Sequence, residues 1–149
     1  MNILFIEDES ELCASGVAQL EAKGHTVYPT HDLSEARAVL ADETISIDLI
    51  ISDHMLPDGF GIQFVIETRS THPKLKSVIV SGCLTGKDIE TLKEHEISYY
   101  RKPLLYGKVI EEVRRKPMAT APVYVAPQER TPPVVEEPKP PKKKRFGFW

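Results

Sequence analysis

The chain has 149 residues, a formal net charge of −3 and two cysteines, Cys13 and Cys83. No stretch approaches the ~18 consecutive apolar residues of a membrane span. The N-terminus carries no basic, apolar leader, and the cysteines have neither a paired framework nor metal-ligand spacing. These features lead us to expect a cytoplasmic protein with free thiols.

The first apolar run is Ile3 to Ile6, followed by Glu7-Asp8-Glu9. Leu12, Gly16 and Leu20 then repeat at a helical spacing of four. Thr26 to Tyr28 forms a second run. Asp32, with Glu35 three residues on, has the pattern of a capping box before Ala36, Val39 and Leu40. Leu49 to Ile51 is the third run and leads to Asp53. Ile62, Val65 and Ile66 mark the next helix. Val78 to Val80 leads to Ser81, and a shorter, more polar helix follows around Ile89 and Leu92. Ile97 to Tyr100 leads to Lys102-Pro103, and Leu105, Val109 and Val113 mark a last helix.

Short, nearly continuous β-branched and aromatic runs suit strands covered on both faces, as in a parallel sheet. Alternation with helices predicts a doubly wound α/β domain of five parallel strands. Composition changes after residue 116. Residues 1–116 hold 13 Lys+Arg against 19 Asp+Glu, whereas residues 117–149 hold 6 against 3 together with eight of the 12 prolines. The expected organisation is an acidic domain, 1–116, and an extended, largely disordered basic tail, 117–149.

Segments leaving the carboxyl ends of parallel strands share one edge, where ligands of open α/β sheets bind. Glu7, Asp8, Asp53, Ser81 and Lys102 are therefore expected in one pocket. Clustered carboxylates suit a hard divalent cation, and a lysine and a hydroxyl suit a phosphoryl group. Each residue taken alone has a plainer reading. Asp53 is a turn or helix cap, Glu7-Asp8-Glu9 charges a helix N-terminus, and Lys102 is solvated. His54 is expected to point away from the pocket, because neighbouring residues alternate faces in extended chain.

Four segments, in order and at the usual spacing, carry a family resemblance: ILFIEDE, DLIISDHMLPDGFG with Pro57 four residues after Asp53, VIVSG and YYRKP. Residues 1 to about 116 resemble a response-regulator receiver domain of two-component signalling. The resemblance implies a flavodoxin-like sheet of strand order 2-1-3-4-5. It implies that Asp53 accepts a phosphoryl group from a phosphohistidine on a sensor histidine kinase or histidine phosphotransfer protein. Asp8, Asp53 and the Met55 carbonyl would bind Mg²⁺, and Glu7 would hold a metal-bound water. Lys102 would pair with Asp53 at rest and with the phosphoryl group afterwards, Ser81 would hydrogen-bond a phosphoryl oxygen, and Tyr99 would be the switch aromatic, its other reading being ordinary packing. Such a domain signals through protein contacts and is not itself a turnover enzyme.

The chain departs from the family pattern in three places. Glu7-Asp8 replaces the commoner Asp-Asp, Phe60 stands where Asp or Ser is frequent, and Ser81 stands for Thr. None removes an essential group. The 33 residues of the tail cannot form a helix-turn-helix, so direct DNA binding is not expected. The terminal run Lys142-Lys143-Lys144-Arg145-Phe146-Gly147-Phe148-Trp149 reads as a solvated tail, as a docking peptide anchored by Phe146, Phe148 and Trp149, or as a weak contact for anionic membrane. Two other functions fit parts of the pattern. One is a phosphorylation-independent adaptor acting through the tail. The other is a Mg-dependent aspartyl-phosphate phosphatase, which expects Asp-x-Asp after its first strand, where this chain has Glu7-Asp8-Glu9.

Overall fold

Alternation within the strands builds two cores. Leu4, Ile6, Ile50, Ile79 and Tyr99 face one side of the sheet, and Ile3, Phe5, Ile51, Val78, Val80 and Tyr100 face the other. Both faces need cover, because each fully buried aliphatic or aromatic side chain contributes about 1.5–3 kcal/mol. The computed structural model of the chain describes residues 1–115. The 116/117 boundary, the tail and Phe146, Phe148 and Trp149 lie outside the described residues.

The elements in order are β1 (Asn2–Ile6), α1 (Ser10–Ala22), β2 (Thr26–Thr30), α2 (Leu33–Ala41), β3 (Leu49–Ser52), β4 (Met55–Leu56), β5 (Gly59–Phe60), α3 (Gly61–Thr71), β6 (Lys76–Ser81), α4 (Gly86–Glu94), β7 (Ser98–Arg101) and α5 (Tyr106–Arg115). Five strands pair in parallel in the order β2-β1-β3-β6-β7. Among the five long strands this is the flavodoxin-like order 2-1-3-4-5. Leu33 and Ala36 of α2, Ile62, Phe64 and Val65 of α3, and Leu92 of α4 cover one face. Cys13 and Leu20 of α1 and Tyr106, Val109 and Ile110 of α5 cover the other.

Several local expectations change. The buried stripe of α1 is Cys13, Gly16 and Leu20, and Leu12 is 42% exposed. Gly16 is required there, since a Cβ would lie 2.4 Å from the Phe5 ring. Leu105 precedes α5 and is 61% exposed, so Tyr106, Val109 and Ile110 supply the stripe. Asp32 does cap α2, accepting from Glu35 N–H at 2.7 Å, but the Glu35 carboxylate accepts from His31 N–H rather than from Asp32. The reciprocal capping box forms instead at α4, between Thr85 and Asp88. The antiparallel β4–β5 hairpin was not expected, because two-residue strands have no readable period.

Candidate functional site

The strand ladders extend one step past the sheet and so place the acidic residues side by side. Glu7 N–H donates to the Thr30 carbonyl at 3.0 Å and Asp53 N–H to the Ile6 carbonyl at 2.9 Å. Lys102 N–H donates to the Ser81 carbonyl at 3.1 Å. Glu7, Asp53, Ser81 and Lys102 therefore leave β1, β3, β6 and β7 at one carboxyl edge. One carboxylate oxygen each from Glu7, Asp8 and Asp53 lies within 4.8 Å of the others.

Lys102 closes this cluster. Its Nζ donates to Asp53 Oδ2 at 2.9 Å and also to Glu7 Oε2. Asp53 is the resting partner expected for Lys102, and Glu7 is a second one. Glu7 joins because it is 2% exposed and buried carboxylates need a counter-charge. Its other oxygen accepts from Glu9 N–H at 3.2 Å. Burial pushes the Glu7 carboxyl above its ordinary range, against the lowering effect of Lys102. Burial acts against the Lys102 ammonium too, but the hydrogen bonds and charges of Glu7 and Asp53 outweigh it and raise its pKa. Asp8 is exposed at the rim.

Three carboxylates and one ammonium leave a formal charge of −2. The donors are hard oxygens, with Asp8 exposed, Asp53 half-buried and Glu7 buried behind them, a set that fits Mg²⁺, which binds through one or two carboxylates and keeps its waters. Asp8, exposed at the rim, and Asp53, half-buried, are the carboxylates best placed to bind directly, because Glu7 is only 2% exposed. The Met55 residue follows as the first of β4, two places past Asp53.

The other site residues take these positions. Ser81 is buried at the end of β6. Its hydroxyl bonds within its own loop, accepting from Cys83 N–H and donating to the Cys83 carbonyl, both at 3.3 Å. Tyr99 is buried in the core beneath α4. Cys83 is exposed and Cys13 is buried.

The residues after Asp53 form a tightly fixed shell that sequence reasoning resolved only in part. His54 N–H donates to Asp53 Oδ1 at 2.6 Å. The His54 ring turns away from the carboxylates, stacks on Phe60 at 5.2 Å and brings Nε2 to 3.5 Å from Asp88 Oδ1. Gly61 N–H donates to the His54 carbonyl at 2.7 Å. A Cβ at Gly61 would lie 2.0 Å from the Asp53 carbonyl oxygen, so only glycine lets α3 start this close to the site. Asp58 reaches α2, accepting from Leu33 N–H at 2.8 Å and Ser34 N–H at 2.9 Å. Those bonds, Leu33 first, hold its carboxyl below the ordinary range. On the other side of the sheet, burial pushes the Tyr106 phenol up to about 12, with the nearby charges of Lys102, Glu7 and Asp53 acting on it. Tyr106 packs edge-on against Phe5 at 5.2 Å. Its position four residues past Lys102, at a helix start, was the only signal in the sequence.

The response regulator receiver domain family matches residues 3–114. The sensor kinase CckA of Brucella abortus (strain 2308) is 32% identical over 80 residues, covering 54% of this chain and 8% of CckA. The KDP operon transcriptional regulatory protein KdpE of Escherichia coli (strain K12) is 30% identical over 125 residues, 81% of this chain and 55% of KdpE. The chain thus spans about half or less of these relatives. Among solved structures, a CheY-like receiver domain protein from Methanospirillum hungatei JF-1 superposes with a TM-score of 0.70 at 22% identity, over 76% of this chain and 90% of that one, a likeness of fold alone. With five strands in this order and carboxylates gathered at their carboxyl edge, the chain belongs to the receiver domain family of two-component response regulators.

Proposed function

We propose that this chain is a phosphoacceptor response regulator. It takes a phosphoryl group from a phosphohistidine, on a histidine kinase or phosphotransfer protein, onto Asp53 and signals through phosphorylation-controlled protein contacts. One observation carries this reading: the Asp53 carboxylate lies 2.9 Å from the Lys102 ammonium, inside a cluster with Glu7 and Asp8. A carboxylate is a suitable acceptor, because the acyl phosphate it forms is reactive and reversible.

Asp8 and Asp53, with Glu7 behind them, are the residues that would hold Mg²⁺. When bound, the cation supplies charge neutralisation for the incoming phosphoryl oxygens. Asp53 attacks phosphorus through a carboxylate oxygen, the O–P bond forming as the P–N bond to the donor histidine breaks and its imidazole leaves, while His54 N–H holds the other oxygen. Lys102 moves its hydrogen bond from Asp53 to the phosphoryl group and keeps Glu7 as its anchor. Ser81 exchanges its bonds to Cys83 for one to a phosphoryl oxygen. Positioning and charge therefore perform the transfer. Tyr99, beside β6 and beneath α4, reads the Ser81 movement. The resulting change must favour one state of a partner's surface over the other. The protein takes up one phosphoryl group per transfer and does not turn over phosphate esters.

The test is treatment of the full chain with acetyl phosphate and Mg²⁺, followed by intact mass. We expect an adduct of about 80 Da, one phosphoryl group, absent in Asp53→Asn. An adduct that persists in Asp53→Asn would reject the assignment, and steady hydrolysis of a simple phosphate ester would favour the phosphatase.

A further inference from the structure

Helix α4 is fastened differently at its two ends. At the carboxyl end, Glu96 N–H donates to the Lys93 carbonyl at 3.2 Å and Ile97 N–H to the Leu92 carbonyl at 2.9 Å. Glu96 takes the left-handed conformation, with a φ of 53°, that closes a helix in this way. Leu92, the buried residue of α4, lies in its last turn and shares a core with Ile97. Arg69, near the end of α3, adds a clamp. Its guanidinium donates to the Glu96 carbonyl at 3.1 Å and also to the His95 carbonyl. A cation at this place also complements the negative end of the helix dipole.

The amino end is held more lightly. Thr85, Gly86 and Lys87 are exposed, and Asp88 and Ile89 are half-buried. The capping box between Thr85 and Asp88 closes the helix start on itself and ties it to no other element. Among the described residues, the polar contact this end receives from another element is that of His54, whose Nε2 lies 3.5 Å from Asp88 Oδ1. A carboxylate only accepts, so Nε2 presents its proton to Asp88. Nδ1 is buried without a hydrogen-bond partner among the described residues. An unpaired buried polar atom opposes folding. A leucine could pack on Phe60 without that cost, so packing alone does not account for a histidine here.

We propose that the His54 ring is a latch that holds the amino end of α4 to the phosphoacceptor segment, and that α4 swings about the end clamped by Arg69 when the latch opens. His54 joins the two parts because its backbone and its ring face different ways. The N–H donates to Asp53 Oδ1 at 2.6 Å, and the ring, stacked on Phe60, reaches Asp88. The coupling rests on the reading of Asp53 as the phosphoacceptor: a phosphoryl group there draws the carboxylate away from the His54 N–H and releases the segment that carries the ring. His54 is thus a positioning residue for α4, and its link runs beside that of Ser81 and Tyr99 rather than through it. The latched and swung positions are two states, and a partner that contacts the amino turn of α4 reads the difference between them.

The experiment is amide hydrogen exchange, read by NMR, on the full chain and its variants. Without phosphodonor, His54→Leu should speed exchange at Asp88 and Ile89, whose N–H groups bond to Thr85, by about three- to tenfold. His95 and Ile97, at the clamped end, should be unchanged. His54→Gln, whose amide N–H can take the place of Nε2–H, should restore the wild-type rates. If His54→Leu fails to fold, His54→Asn, polar but too short to reach Asp88, gives the same comparison. With acetyl phosphate and Mg²⁺, the wild type should reach the Asp88 and Ile89 rates of His54→Leu, and that variant should show no further rise. Unchanged rates in His54→Leu, a rise spread evenly over α4, or rates in His54→Gln as fast as in His54→Leu would overturn the latch. A phosphoryl adduct by intact mass with unchanged α4 exchange would overturn its coupling to Asp53. No adduct at all would instead reject the phosphoacceptor reading, and the comparison without phosphodonor would still decide the latch.

Discussion

Replacing Lys102 by Met keeps most of the aliphatic side chain and removes its ammonium. The Glu7 carboxylate, 2% exposed, would be left with one donor, Glu9 N–H. Removing one partner of a buried ion pair costs roughly 3–5 kcal/mol. The Lys102 and Asp53 side chains are 17% and 14% exposed, so water reaches part of the site and the lower range applies. We expect a loss of about 2–3 kcal/mol, a large share of the ~5–15 kcal/mol that stabilises a domain. Glu7→Gln removes the buried charge and leaves Lys102 on Asp53, so it should cost less. The double variant strands no charge at position 7 and should fall short of additivity by about 1–2 kcal/mol. Urea unfolding of the four proteins in EDTA measures this cycle. The pH dependence gives a second check. The Glu7 carboxyl already titrates above its ordinary value, chiefly through burial, and Lys102 lowers it. Without Lys102 it rises further. A group with a raised folded pKa contributes stability below its unfolded value and loses it as pH rises through the folded pKa. The deficit of Lys102→Met should therefore be small below the ordinary carboxylate range and grow as pH rises above it. A deficit that is constant with pH, or a fully additive cycle, would refute a buried Glu7 charge held by Lys102.

Mg²⁺ should raise the thermal midpoint of the wild type by mass action, and Asp8→Ala should lose that gain while becoming no less stable in EDTA; an unchanged Mg²⁺ response would remove Asp8 from the site. Met55 and Cys83, each two residues past a proposed phosphoryl-contacting side chain, are poor groups for placing an attacking water. Phosphorylated protein should decay faster in Met55→Asn with Cys83→Glu, followed by intact mass, and an equal decay rate would end that argument. Burial first, then the charge of the N-terminal amine 3.1 Å away, lowers the His25 pKa. Its neutral form thus favours folding, with stability present above the unfolded value of ~6.5 and lost as pH falls through the folded one. His25→Gln should flatten the part of the stability profile below about pH 6.5; an identical profile would show that His25 contributes nothing to it.

The sheet was legible because five apolar runs sit between helical stripes, and continuous β-branched runs have few other homes than a doubly covered strand. The site was legible for a related reason: in a parallel sheet, the residue after each run lands on one edge whatever the helices do. Where the reading slipped, two residues competed for one place. Leu12 and Cys13 both fit the α1 stripe, and the smaller thiol packs inward while the leucine is left outside. Leu105 matched the spacing of Val109 and Val113, but Tyr106 begins the helix and takes the buried position. Glu7 was expected, from the resemblance, to hold a metal-bound water, and the structure adds a partner to that expectation: its carboxylate also accepts from Lys102. Its burial, and hence its bond to Lys102, depends on packing across 95 residues of sequence, which no local pattern contains.

The segment after Asp53 shows what such patterns miss most. Read along the chain, Asp58-Gly59-Phe60-Gly61 is a turn and a helix start. In space it is a junction of three helices. Asp58 satisfies two of the amides that the N-terminus of α2 leaves without partners. Gly61 seats α3 on the Asp53 carbonyl. The His54 ring, wedged against Phe60, reaches Asp88 in the capping box of α4. On the opposite face, α1 meets the start of α5 through Gln19, whose side chain accepts from Tyr106 N–H at 3.1 Å. A displacement of the Asp53 backbone would thus strain α2, α3 and α4 together. A displacement of Lys102 alone would act first on β7 and the loop into α5. These are two separable routes out of one cluster, and His54→Leu, which removes the contact to Asp88 but retains the backbone bond to Asp53, would cut only the α4 branch of the first.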